Sequence, residues 1–358
     1  MSNLSELEHL ISIRIIQEDA ESIYSLLASE KNSVFSMGVI PYYALFVQSC
    51  QEFMGENFLP ESATTEIKDI RNHIKIYAES FGKTKKRVLA TDDEQNEDFK
   101  SQLRFQFLEK WNVHLNFGTY WTADRHLISN TQQLADFLGI KSLNKNAGKK
   151  QYELGYQIGS FVASVRSGFS ESLDLPVIQR NNKAISIKHY FDINTNRRNP
   201  IFVDNSSKEL NLLFLHLLCN MNFLKYILRG LFKEGNTWIF RTEYIVTYYT
   251  LRALQRLKNY CENNTDITID GVEIERILKI GEPLFQSQLR NCMMHYNLKN
   301  QGVISAENVN KHFYGIIETC FAGMDYYTYL GKLRELSDEI IAFLEKRFDF
   351  SKVTLKEL

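Results

Sequence analysis

Proline occurs only five times in the 358 residues of this chain, and the intervening apolar residues recur at spacings of three and four. A proline inside a helix removes a hydrogen-bond donor and clashes with the preceding turn. Its rarity, combined with a period near 3.6, points to an all-α, mainly helical fold. Along residues 4–27 the apolar positions Leu7, Leu10, Ile11, Ile15 and Ile16 share one face, and Ser5 with Glu8 has the form of a capping box. Further helices are expected over residues 40–54, over 60–81 with Gly82 as the stop, and over 99–111, 131–138 and 150–165. Between 83 and 98 the run Lys83, Lys85, Lys86, Arg87 and then Asp92, Asp93, Glu94, Glu97, Asp98 reads as a solvated loop.

Residues 171–206 read differently. Pro176, the alternating run Ile185-Ser186-Ile187-Lys188-His189-Tyr190-Phe191, and then Asn199-Pro200 predict a short β-hairpin or an extended connector. This stretch is taken as the boundary between a helical N-terminal domain, residues 1–170, and a C-terminal bundle, residues 207–350. Helical patterns follow at 207–232, 237–260, 272–296, 306–330 and 333–348 with short links, as in an antiparallel up-and-down bundle.

Composition narrows the function classes. A hydrophobic content of 44% supports a sizeable core, and a net charge of −1 confines any affinity for nucleic acid to a local patch. The five cysteines are widely spaced without a CxxC pair, so neither a zinc ribbon nor a disulfide scaffold is expected, and free thiols in a reducing, cytoplasmic compartment are. The first residues lack the basic segment of a signal peptide. The most apolar stretch, 212–232, carries His216, Asn220, Asn222, Lys225 and Arg229, so a buried core helix is expected there and no membrane span. There is no P-loop, no Gly-x-Gly-x-x-Gly after a strand, no metal-ligand histidine spacing and no serine elbow. Neither a metal nor another cofactor is expected.

One constellation carries chemistry: Leu289-Arg290-Asn291-Cys292-Met293-Met294-His295-Tyr296. An arginine precedes a histidine by five positions, with asparagine directly after the arginine, on a late helix of a predicted bundle. This resembles the R-x4-6-H signature of HEPN domains, and the resemblance covers roughly residues 207–348. It implies a metal-independent endoribonuclease working as a homodimer through the helix that carries Arg290 and His295, with a composite site across the twofold axis. It further implies RNA as substrate, an antitoxin or other regulatory partner, and service as a toxin or in abortive, antiviral defence. Some members carry a tyrosine two positions after the histidine, where a partner nucleotidyltransferase silences them. Here that position is Asn297 and the tyrosine is Tyr296, so that route of control is not expected.

The residue types suit the reaction. Histidine, with a pKa of about 6.5, exchanges protons near neutrality. Arginine stays charged and offers a planar fork of donors to phosphate oxygens. Asn291 is expected to hold the phosphate or to orient the histidine. Five residues turn a helix by about 140°, so Arg290 and His295 do not share a stripe, whereas Asn291 and His295 do. Arg241, Arg252 and Arg256 are secondary RNA-contact candidates, or else a solvated face. Trp238, Phe240, Tyr244, Tyr248 and Tyr249 on the same helix read as a core stripe. The competing reading of the whole is a non-catalytic helical adaptor or oligomerisation protein, in which Arg290 and His295 are interface residues.

Overall fold

The computed structural model describes residues 2–30, 33–55, 59–101, 115–139, 145–170, 178–181, 185, 187–196, 201–203 and 207–358. These residues are mainly helical, with one small sheet. Residues 102–111 of the expected helix over 99–111, and half of the 171–206 stretch, fall outside the described residues.

The N-terminal half begins with α1 (Ser2–Ser29), α2 (Ser33–Met54), α3 (Glu61–His73) and α4 (Phe81–Ser101). Because α1 already begins at Ser2, Ser5 and Glu8 sit inside it and do not cap it. The Glu8 carboxylate instead accepts from the Asn300 backbone N–H at 3.2 Å. Helix α2 is apolar almost all round, and 14 of its residues are buried, as befits a helix enclosed on several sides.

Helix α4 corrects the expected loop at 83–98. Its buried stripe is Phe81, Thr84, Val88, Thr91, Asp92, Gln95 and Asn96, which has helical spacing but is mostly polar. The stripe is paid for by hydrogen bonds: buried Asp92 accepts from Gln132 at 2.5 Å and Thr195 at 2.8 Å, and it also pairs with Lys208. A period carried by polar residues is invisible to a hydrophobicity pattern.

A hairpin then forms from β1 (Phe117–Thr122) and β2 (Leu127–Asn130), followed by α5 (Thr131–Leu138) and α6 (Lys145–Ser170). The Asn130 side chain caps α5 by accepting from the Gln133 N–H at 2.8 Å. The strand expected near 184–191 is β3 (Ile187–Ile193), but it makes no hairpin of its own. It pairs antiparallel with β1 on one side and with β4 (Lys356–Glu357) on the other, giving the order β2-β1-β3-β4.

The C-terminal half holds α7 (Lys208–Asn222), α8 (Thr237–Asn263), α9 (Gly271–Gly281), α10 (Ser287–Met294), α11 (Ile316–Cys320) and α12 (Tyr326–Glu345). Helices α7, α8, α9 and α12 pack on one another, and α10 lies against α8. Two expected helices of this half are broken, as is the expected 60–81 helix in the other half, which ends at His73 and leaves Gly82 inside α4. Pro283 sits in a one-turn 3-10 segment, Glu282–Leu284, that separates α9 from α10, so 272–296 is not continuous. The expected 306–330 helix is replaced by turns around Gly315 and Gly323, both left-handed, and by the short α11.

The two halves share one hydrophobic cluster running from Ile11 to Val353. Helix α1 packs on α6 and on α8, and α7 packs on β2. Residues of 1–170 and of 207–350 therefore contribute to one core. Ser33–Met54 and Lys208–Gly230 are long and apolar enough to cross a membrane by length and composition, and 72% and 83% of their apolar windows are buried inside the fold.

Candidate functional site

Helix α10 is only eight residues long, and its last hydrogen bond runs from the His295 N–H to the Asn291 carbonyl at 2.9 Å. His295 itself has left the helix, with φ −136° and ψ 154°. An extended residue at a helix end projects its side chain away from the helix axis. The imidazole accordingly reaches across to α2, where Nδ1 lies 3.0 Å from the Glu52 carboxylate, both side chains being 44% exposed. Ser49, one turn earlier on α2, donates to the Met294 carbonyl at 2.8 Å and pins the helix end to α2.

These groups border an open cleft of about 350 Å³ lined by Ser49, Glu52, Phe53, Asn291, His295, Tyr296, Asn297 and Gln301. Asn291 and His295 thus face one space. Arg290 does not line it. One residue earlier on the helix, it is rotated by about 100°. There it hydrogen-bonds the Tyr248 hydroxyl of α8, which raises its guanidinium further above its usual range. Burial raises the Tyr248 phenol, but hydrogen bonds from Arg290 and Arg252 more than offset it, and the net direction is down. The Arg290 guanidinium also donates to the Asn291 side-chain oxygen at 3.1 Å, so Asn291 bridges the arginine side and the histidine side. Within one chain the motif is divided between two faces.

Behind the cleft lies a buried polar cluster. Asp19 of α1 accepts from Arg241 at 2.5 Å, from the Tyr296 hydroxyl at 2.7 Å and from Thr237 at 2.8 Å. Arg241 also donates to the Met293 carbonyl through Nη2 at 2.9 Å, and its guanidinium lies 4.0 Å above the Tyr296 ring. Complete burial pushes the Asp19 carboxyl above its ordinary range, and the Arg241 charge and the two hydroxyl donors pull it back. The cluster grips the chain on both sides of Met294 and His295. Tyr296, which sequence placed near the regulated position of some HEPN proteins, has its hydroxyl committed to Asp19.

Arg241 is therefore not a surface contact for RNA. It is 4% exposed, and its donors are turned inward. Arg252 and Arg256 remain exposed on α8. Arg252 lies 5.3 Å over the Tyr248 ring. Glu52 and Ser49 were not found by sequence reasoning; α2 carries no motif around them, and only tertiary packing brings them to His295. Among the described residues, no group of three His, Cys, Asp or Glu side chains converges as a metal ion would require.

No protein-family model matches the chain, and neither the curated proteins nor the solved structures contain a significant match.

Proposed function

We infer that the chain is a metal-independent endoribonuclease in which His295 moves the proton and Arg290 stabilises the phosphate. The observation that carries this reading is the exposed His295–Glu52 pair in an open cleft beside Asn291. A carboxylate at Nδ1 favours the tautomer protonated on that nitrogen and leaves Nε2 as the base. In the reaction, Nε2 takes the 2′-hydroxyl proton, the 2′-oxygen bonds to phosphorus, and the bond from phosphorus to the 5′-oxygen breaks. That leaving oxygen takes up a proton, giving a 2′,3′-cyclic phosphate and a 5′-hydroxyl.

Charge on the phosphorane needs a donor, and Arg290 of the same chain lies on the other face of α10. A homodimer through α10 supplies it from a second copy, which agrees with the composite site implied by the HEPN resemblance. RNA then enters along a rim that includes Arg252 and Arg256. Residues 1–170 act in this reading as the sensing or restraining part, since α1 and α2 contribute Asp19, Ser49 and Glu52 around the motif. A cytoplasmic toxin or abortive-infection effector, held in check by an antitoxin or other regulatory partner, is the biological role this chemistry suits.

The second reading, a non-catalytic adaptor, is favoured by Arg290 being engaged with Tyr248 and lying outside the cleft. Incubation of mixed RNA with the protein in EDTA separates the two. Wild type is expected to cleave to cyclic-phosphate ends, and His295→Ala is expected to lose about 10²- to 10⁴-fold in rate while keeping the oligomeric state of wild type. Equal products from both proteins, or none from wild type at any concentration, favour the adaptor.

A further inference from the structure

The reaction assigned to His295 constrains what else its cleft must hold. The attacking 2′-oxygen sits on the ribose carbon next to the one that bears the base. A ribose that presents this hydroxyl to the imidazole therefore brings its base into the same cleft. The cleft measures about 350 Å³. That is near the lower end of the roughly 300–1,000 Å³ of ligand sites, so it suits one nucleotide unit and not a run of them. Its walls beside His295 include Phe53, one residue beyond Glu52 on α2 and half-buried. The Phe53 ring stacks on His9 of α1, with centroids 5.2 Å apart and planes inclined by 22°, so it is already supported on one side. The loop after α10 supplies Asn297 and Gln301. Its backbone is tied to α1: the Leu298 N–H donates to the Ser12 hydroxyl at 3.3 Å, and the Asn300 N–H to the Glu8 carboxylate at 3.2 Å. The Gln301 N–H closes the turn on the Leu298 carbonyl at 3.1 Å.

Most polar side chains around the cleft already have partners. Both Glu52 oxygens are engaged, one by the Gln48 amide at 2.9 Å and the other by His295. The Ser49 hydroxyl donates to Met294, and the Tyr296 hydroxyl to Asp19. The Asn297 oxygen accepts from the Lys299 N–H at 3.1 Å, which leaves its NH₂ group to donate elsewhere. The Gln301 amide has no partner among the described residues and offers both a donor and an acceptor. An aromatic ring beside two such amides is the chemistry by which proteins hold an unstacked base of single-stranded RNA. The ring takes the π face, and the amides take the hydrogen-bonding edge.

We propose that this cleft is a base-binding subsite for the nucleotide on the 5′ side of the cut, with Phe53 as its stacking partner and Asn297 and Gln301 as readers of its edge. The proposal rests on the ribonuclease reading and adds selectivity for the base to it. The test uses five 2′-O-methyl RNA decamers, each with one unmodified ribose, so that only one 2′-hydroxyl can attack. Four carry A, C, G or U on that ribose, and the fifth carries no base. In EDTA, wild type is expected to cleave its preferred base with a kcat/KM about 10-fold or more above its least favoured one, and the abasic decamer more slowly still. Phe53→Leu keeps an apolar side chain but no ring face; it is expected to lose about 5-fold or more on the base-bearing decamers and nothing on the abasic one. Asn297→Ala/Gln301→Ala is expected to bring the four bases within about 3-fold of one another. Equal cleavage of all five by wild type overturns the subsite and leaves the ribonuclease reading standing. So does a base preference that both variants retain, or a Phe53→Leu loss equally large on the abasic decamer, since a merely structural defect falls on every substrate. Cleavage of none of the five sinks the ribonuclease reading. The subsite is then decided by calorimetric titration with the four nucleoside 3′-monophosphates: saturable binding weakened by Phe53→Leu upholds it, and no binding overturns it.

Discussion

Replacing Asp19 by asparagine keeps the shape of the side chain and removes its charge, and the structure gives the size of the effect. Arg241 and Asp19 have side chains 5% and 0% exposed, so the guanidinium would be left in the interior without a counter-ion. Breaking a buried pair from one side costs about 3–5 kcal/mol, a large share of the roughly 5–15 kcal/mol that holds a native protein together. With an unfolding entropy of about 2 cal/mol/K per residue, a chain of this length loses about 1.3 °C of Tm for each kcal/mol. Asp19→Asn is therefore expected to melt about 4–7 °C below wild type by scanning calorimetry. The loss has a location as well as a size. Met293 and Tyr296 are both held by this cluster, so amide exchange over residues 289–298 is expected to accelerate ahead of α12. Asp19→Asn/Arg241→Met, which removes both charges, is expected to recover most of the lost stability. A single variant melting within about 1 °C of wild type, or a double variant no better than the single, would refute a paired, buried charge at this place.

Two further outcomes follow from the same geometry. Glu52→Gln keeps a hydrogen-bond partner for His295 but removes the charge that stabilises imidazolium; ribonuclease kcat is expected to fall about 10-fold, short of the loss in His295→Ala, and an unchanged kcat would reduce the contact to a surface ion pair without consequence. His216 is fully buried and pushed down to about 3 by desolvation, so it stays neutral in the fold while the unfolded chain takes up its proton near 6.5. Its contribution is thus complete above about 6.5 and is lost as pH falls, by about 2 kcal/mol on reaching pH 5. Asp136, raised to about 6 by burial, works in the opposite sense, its contribution being present at low pH and lost as pH rises through about 6. The measurement is therefore the difference in urea-unfolding stability between wild type and His216→Gln at pH 7 and pH 5, and a difference that does not change with pH would show that His216 is not held neutral.

Where apolar residues carried the helical period, sequence located the helices: α1, α2, α5, α8 and the core of α12 all lie where the pattern put them. It failed where another force wrote the pattern. The buried stripe of α4 is mostly threonine, aspartate, glutamine and asparagine, and Thr91, Asp92 and Gln95 are held by hydrogen bonds to partners more than 30 residues away. Pro283 marks the break between α9 and α10, and the apolar period on either side of it hides that break. Strands β1 and β2 were missed because a strand of four to six residues bears too few alternations to stand out from its helical surroundings.

The arginines of α8 show most directly where sequence stops. Positions 241 and 252 are eleven apart, close to three full turns, so they share one azimuth on the helix. One is buried and the other exposed, because Asp19 of α1 and the Met293 carbonyl at the end of α10 enclose position 241, while position 252 faces solvent. The chain by itself determined the helical class, the main amphipathic faces and the presence of Arg290, Asn291 and His295 within six residues of one another. Tertiary structure alone decided that the helix stops at Met294, that Glu52 meets His295, and that Asp19 claims Arg241. Helical periodicity records which face of an element is apolar, whereas a polar group's partner is chosen by three-dimensional packing between segments far apart in the chain.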